Sequence, residues 1–233
     1  MIYTAARMQA IALQAPGDLT YTVDETEINC LRQPQDPDNW DSVITAACPG
    51  PISALGLALG DESLLQLFTD LGFYSAPVLR LDTLATAPPS SLSRPGLAAI
   101  GQSDLHVSPL QMALAASTLT NFGQVPAPQI ALAVEQEIGD RLILDSLSEA
   151  RSVLNSSLAM ASAQNLTSET LSIWQFSGRS FGEQGQIYSW YLAGSLPGQA
   201  EDDGLTIVVL LEKDEAALAQ AIGQRLLMAA LGD

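Results

Sequence analysis

The chain is short of positive charge. Lys213 is its single lysine and His106 its single histidine, and the 9 lysines and arginines together face 26 acidic residues, for a formal net charge of −17. So acidic a surface repels phosphate backbones and anionic lipid headgroups, which argues against nucleic acid as a partner. With so little histidine, the two cysteines, Cys30 and Cys48, have no Cys-x-x-Cys partner and no ligand set for zinc, so no metal or other cofactor is expected. Long apolar runs are missing as well. None approaches the ~18 residues of a membrane span, and Met1 to Leu19 has no basic stretch leading into a continuous apolar core. The cysteines leave two readings open. In an oxidising compartment they close a loop that contributes roughly 3 kcal/mol, and otherwise they are two separately buried thiols.

What is present is enough apolar sequence for one core. The 233 residues are 47% hydrophobic, and the expectation is a single domain over 1–233. Ile2 to Gln14 reads as a helix stopped by Pro16-Gly17; loop-rich sequence follows to Asn39. Trp40–Ala47 and Ile52–Leu59 read as short helices split by Cys48-Pro49-Gly50-Pro51, and Asp61–Leu71 as a third. Val78 to Gly96 is rich in Pro, Ser and Thr without periodicity, as in a surface loop. Ser108, Pro109 and Gln111 then stand at N-cap, N1 and N3 of an amphipathic helix, a capping-box arrangement. Ser146-Leu147-Ser148-Glu149 gives a second such signal, ahead of a helix ending near Gln164.

The last third changes period. Glu169–Phe176, Gln186–Leu196 and Leu205–Glu212 read as strands, and Asp214–Leu231 as a capped C-terminal helix. The third strand, LTIVVLL, is apolar on both faces, as in a sheet covered by helices on both sides. The order is α+β.

One string narrows this further. GQSDLHVSPLQMALAASTLTNFGQVPAPQI, from Gly101 to Ile130, resembles a segment of penicillin-binding protein transpeptidase domains: Gly-Gln, then Thr-Pro-Leu-Gln-Met-Ala, then Ala-Asn-x-Gly and a proline-containing exit, with Ser108 in place of the usual threonine. ACPGPISALGLALGDESLLQLFTDLGF (Ala47–Phe73) resembles the family's Ser-x-Asn segment. IWQFSGRSF (Ile173–Phe181) sits where the family places its Lys-Thr-Gly strand, and WYLAGSLP (Trp190–Pro197) is similar to the strand after it. The resemblance implies an antiparallel sheet with helices on both faces. It also implies that the family's two N-terminal strands are lacking here, as in the C-terminal part of a longer or split polypeptide.

The family's chemistry, as the resemblance implies it, is acyl transfer by a serine that a lysine one helical turn later activates, Ser-x-x-Lys, because positions i and i+3 share a helix face. Here the nucleophile and lysine positions map to Ile2 and Ala5, within a few residues. The Ser-x-Asn positions become Ala47, Cys48 and Pro49, and the Lys-Thr-Gly positions become Phe176, Ser177 and Gly178. Independently of alignment, the chain contains no Ser-x-x-Lys, Ser-x-Asn or Lys-Ser/Thr-Gly anywhere. Two substitutes are conceivable: a Cys48 thiolate with His106 as base, and Arg179, which either binds a carboxylate or phosphate in a remnant cleft or is an exposed turn arginine.

Three functions compete. The leading expectation is a catalytically inactive binding or scaffolding module in cell-wall (peptidoglycan) synthesis, located extracytoplasmically as the family is. Its partners would be a cell-wall protein, or another copy through strand Leu205–Glu212, and weakly a peptidoglycan peptide. The second is an active transpeptidase or serine hydrolase using other residues. The third is a purely structural appendage.

Overall fold

The computed structural model describes residues 1–233 except 24–25, 104, 136–140, 169–170, 183–184, 199–203 and 233. The first helix, α1 (Ile2–Met8), is shorter than the sequence suggests. The chain leaves it at Ala10, whose φ of 52° is left-handed, well before Pro16. A small hairpin, β1 (Tyr21–Val23) with β2 (Thr26–Ile28), follows. Next comes α2 (Trp40–Thr45), whose N-cap Asn39 side chain accepts from the backbone of Asp41 and Ser42.

The next helix, α3 (Pro49–Asp70), starts with proline at its first position and is two helices in one. Gly60, at φ 79° and ψ 168°, breaks it where the sequence predicts a boundary between Leu59 and Asp61. Only glycine holds that conformation without strain. Asp61 then uses the break, its carboxylate accepting the Leu92 N–H at 2.6 Å and tying down the long loop after α3. That loop is not wholly irregular: Pro95–Ala99 forms a short helix, α4, which lacks enough residues to show a period in the sequence.

The helix that opens with Ser108 is α5 (Pro109–Thr120), and both halves of its capping box are made: the Ser108 hydroxyl accepts from Gln111 N, and the Gln111 side chain accepts from Ser108 N at 2.9 Å. Gln111, buried, does more. Its Nε2 lies 3.1, 3.0 and 3.2 Å from the carbonyls of Gly72, Phe73 and Ser75, so the helix start is pinned to the turn that follows α3. At the other end Phe122 and Gly123 both take positive φ, and the Gly123 carbonyl accepts from Val153 and Leu154.

Short pieces follow: β3 (Gln124–Val125), a hairpin of β4 (Ala133–Glu135) and β5 (Arg141–Ile143), and β6 (Arg151–Ser152), which pairs with β3. The signal at Ser146–Glu149 does not open a helix. Ser146 instead turns its hydroxyl onto the Ser148 carbonyl, and α6 (Ser156–Asn165) starts later, capped by Asn155. Serine competes locally with the helix by bonding nearby backbone, and here the turn prevails.

The main sheet is antiparallel, in the order β7 (Ile173–Phe181), β8 (Ile187–Ser195), β9 (Thr206–Leu211). The first strand is displaced from the expected Glu169–Phe176: it begins at Ile173 and runs on to Phe181, while Glu169 lies outside the described residues. The last helix, α7 (Ala216–Leu231), has no side-chain cap; its N-cap residue is Glu215. Alternation sorts the sheet into two faces. Ile173, Tyr191 and Ala193 pack on Ala219 and Leu227 of α7, with Ile207, Val209 and Leu211 alongside. Trp174 and Leu192 pack on Ala116 and Leu119 of α5 and Ala163 of α6, with Val208 and Phe176 at the margin. β9 is therefore covered on both faces, as LTIVVLL predicts, yet among the described residues it pairs with β8 alone and stands at the sheet edge. Every one of its residues is only half-buried.

Candidate functional site

The residues to be located lie on α1, on the link between α2 and α3, and on β7. Ile2 and Ala5 are buried in the helical core that includes Leu55, Leu59 and Leu64 of α3. They point into packing rather than into a groove. The neighbouring Thr4 is also buried, and its hydroxyl meets that of Ser162 on α6 at 2.8 Å. Tyr3 stacks on Trp40 with ring centroids 5.6 Å apart, which joins α1 to α2.

Ala47 ends α2 with φ 53°, a left-handed conformation that an alanine adopts against its own Cβ. The next residue, Cys48, is buried, is the N-cap of α3, and is joined to Cys30 by a disulfide. The open question about the cysteines closes here. A disulfide sulfur is no thiolate, so the Cys48–His106 arrangement has no nucleophile, and His106 is exposed on the stretch before α5. The bridge holds the Leu19–Cys30 region against the start of α3, where Gly50 donates to the Leu19 carbonyl. A side chain at Gly50 would collide with the carbonyls of Asp18 and Thr20, so glycine is required by proximity.

On β7 the two faces separate the mapped residues. Phe176 and Gly178 share the face toward α5 and α6. The Phe176 ring lies across Gly178, a Cβ there meeting its Cε1 at 3.1 Å, and packs at the edge of the cluster formed by Trp174, Leu192 and Ala116. Met1 and Met112 pack against the same cluster, so the start of α1 and the front of β7 share one apolar contact zone. Ser177 faces the other way. It is buried, and its hydroxyl has no hydrogen-bond partner among the described groups.

Arg179 is a strand residue, not a turn residue. Its Nε lies 2.7 Å from Asp214 Oδ1, ahead of α7, on the face opposite Phe176. Its exposure is as the second reading from the sequence has it, but it stands on a strand and not in a turn; strand alternation turns Arg179 away from any groove on the Phe176 side, and a carboxylate of this chain meets its Nε. Also on the α7 side, Gln175 Oε1 accepts from Tyr191 at 3.0 Å and from Gln224 at 2.9 Å, and burial pushes the Tyr191 phenol up to about 12, against a lesser opposite pull from Arg32.

Sequence reasoning missed Thr120. Its hydroxyl receives the indole N–H of Trp174 at 2.8 Å, meets Thr206 Oγ1 at 3.0 Å and reaches the Ser195 carbonyl at 3.2 Å, which joins α5 to all three main strands or their ends. A threonine closing a helix carries no sequence signal for that role. Among the described residues no three His, Cys, Asp or Glu side chains gather as a metal site would need.

A family model described as penicillin binding protein transpeptidase domain matches residues 17–194, well over half of the chain. The chain belongs to that family. Solved structures agree on the fold. The imipenem acyl-enzyme of penicillin-binding protein A from M. tuberculosis is similar with a TM-score of 0.80 at 21% identity, over 99% of this chain and 58% of that one. The D,D-transpeptidase domain of a peptidoglycan glycosyltransferase from Eggerthella lenta gives 0.74 at 14% identity, over 99% and 64%. Penicillin-binding protein 3 from M. tuberculosis gives 0.72 at 14%, over 98% and 60%. The chain thus spans about three fifths of the length of these solved chains. No curated protein matches it.

Proposed function

We propose that the chain is a transpeptidase-like domain without acyl-transfer chemistry, a single folded unit over 1–233 that serves as a binding or scaffolding module in cell-wall synthesis. The observation that carries this reading is Phe176. At the strand position that the sequence resemblance gives to the family's lysine stands a phenylalanine whose ring lies against Gly178 and packs beside apolar side chains. A site of this composition offers no cation to hold a peptide carboxylate and no general base to activate a hydroxyl. The absence of any serine-lysine pair at helical spacing supports the same reading.

The module works in the cell envelope, outside the cytoplasm; the Cys30–Cys48 disulfide supports an oxidising compartment. Its partner, a cell-wall protein or another copy, adds to the edge of β9. Unpaired backbone and half-buried apolar side chains along Thr206–Leu211 support this surface. Contact with peptidoglycan peptides is weaker than millimolar.

Intact-mass spectrometry after incubation with a fluorescent penicillin tests the reading. An unmodified mass is expected, and a stoichiometric adduct refutes it in favour of an active serine enzyme.

A further inference from the structure

Exposed apolar side chains also gather away from β7 and β9. Leu132, Val134, Leu142 and Ile143 sit on and beside the β4–β5 hairpin, and Leu81 and Ile130 continue the surface; all six are exposed, Ile143 to 76% and Leu132 to 70%. They lie on both faces of the ribbon, Leu132, Val134 and Leu142 on one and Ile143 on the other. The Leu81 loop and Ile130 line a common groove with Leu147, and the hairpin ladder extends to Leu132, whose carbonyl accepts from Leu144.

The ribbon is also open at its edges. β4 and β5 pair only with each other among the described strands. Since Leu132 and Leu144 form a hydrogen-bonded pair, Ala133 and Ile143 are a non-bonded pair one step on, and the backbone groups of Ile143 and Arg141 point outward. A two-stranded ribbon exposed on both faces is marginal in water unless something covers it.

We propose that this hairpin docks a separate protein, through a segment that is extended, apolar on alternate residues and basic on the others. Strand addition to β5 would satisfy the outward backbone groups, with the segment's apolar side chains beside Leu142 on one face and its basic side chains on the other, the face of Glu135. Charge selects the basic character. The exposed carboxylates of Asp82, Glu135 and Asp145, on the hairpin and the groove beside it, outnumber Arg80 and Arg141 there, in a chain of net charge −17. At the hairpin these acidic side chains oppose a second copy docking on its like, and they oppose an anionic lipid surface.

The test titrates the whole chain, methyl-labelled for NMR, with a short synthetic peptide that alternates valine and lysine. Shifts are expected at Leu132, Val134, Leu142 and Ile143, with affinity reduced about tenfold or more by Leu142→Asp with Ile143→Asp, and comparably when glutamate replaces lysine in the peptide. Leu132→Asp, on the preceding segment, is a second exposed variant and should weaken binding as well while thermal unfolding stays unchanged. No binding, equal binding of the glutamate peptide, or shifts centred on Ile207 and Val208 of β9 overturns the proposal. So does self-association, or attachment to phosphatidylcholine vesicles, that the hairpin variants abolish.

Discussion

Replacing Gln111 with methionine isolates one polar junction. Methionine keeps the volume and the helix propensity, so the loss is confined to hydrogen bonds. In the parent, Gln111 Oε1 closes the capping box onto Ser108 N, while Nε2 is shared among the carbonyls of Gly72, Phe73 and Ser75. An amide has two N–H groups, so three acceptors cannot all be fully served; two bonds' worth is the reasonable reckoning. The Phe73 contact is fully buried and the other two partly so. Leaving one buried carbonyl unsatisfied costs about 1–3 kcal/mol, a partly solvated one less, and loss of half a capping box about 0.5–1 kcal/mol. The expected destabilisation is about 3 kcal/mol, which for a domain of this size lowers Tm by roughly 6–12 °C. Urea unfolding followed by tryptophan fluorescence measures it as a drop in midpoint at constant slope. Ser108→Ala should cost about 1 kcal/mol, and the pair should be coupled, because both act on one helix start. A Gln111→Met protein within about 0.5 kcal/mol of the parent would refute the assignment of this junction.

Four further outcomes follow from the same contacts. Reducing the Cys30–Cys48 disulfide should lower stability by roughly 3 kcal/mol, from the loop that separates the two residues by 18 positions; an unchanged urea midpoint in dithiothreitol would count against it. The Tyr191 phenol is raised to about 12 in the folded state, so the native protein holds that proton more tightly than the unfolded chain. Its contribution is complete below about pH 10, the unfolded value, and is lost as pH rises through about 12; this part of the alkaline slope should vanish in Tyr191→Phe, and an identical slope in that variant would contradict the assignment. Ala47→Gly should stabilise by up to about 1 kcal/mol, because glycine adopts the φ of 53° without strain, and a loss of stability would show that the strain is absent. Phe176→Lys should destabilise by about 2 kcal/mol or more by placing an ammonium at an apolar margin, without creating any penicillin adduct; an adduct in that variant would mean that the rest of the catalytic machinery is present.

The amino-acid sequence by itself determined the local devices and the family. Ser108, Pro109 and Gln111 mark a helix start in the sequence, because the cap bonds are made within one turn, and Gly60 breaks α3 because its neighbours cannot take its conformation. The apolar character of LTIVVLL likewise required a helix on each face, and α5 and α7 supply them. Long-range geometry was not legible. Ser146–Glu149 carries the same cap signal as Ser108–Gln111, yet only the second is followed by a helix, because only there does Gln111 gain carbonyl partners from a distant turn. The extent of α1, the start of β7 and the pairing of Cys30 with Cys48 depend on contacts between segments that sequence order does not bring together. Arg179 shows the reason most plainly. A residue's type states what it can bind, but strand alternation, fixed by the whole sheet, decided that its guanidinium meets Asp214 behind the sheet while Phe176 fills the front.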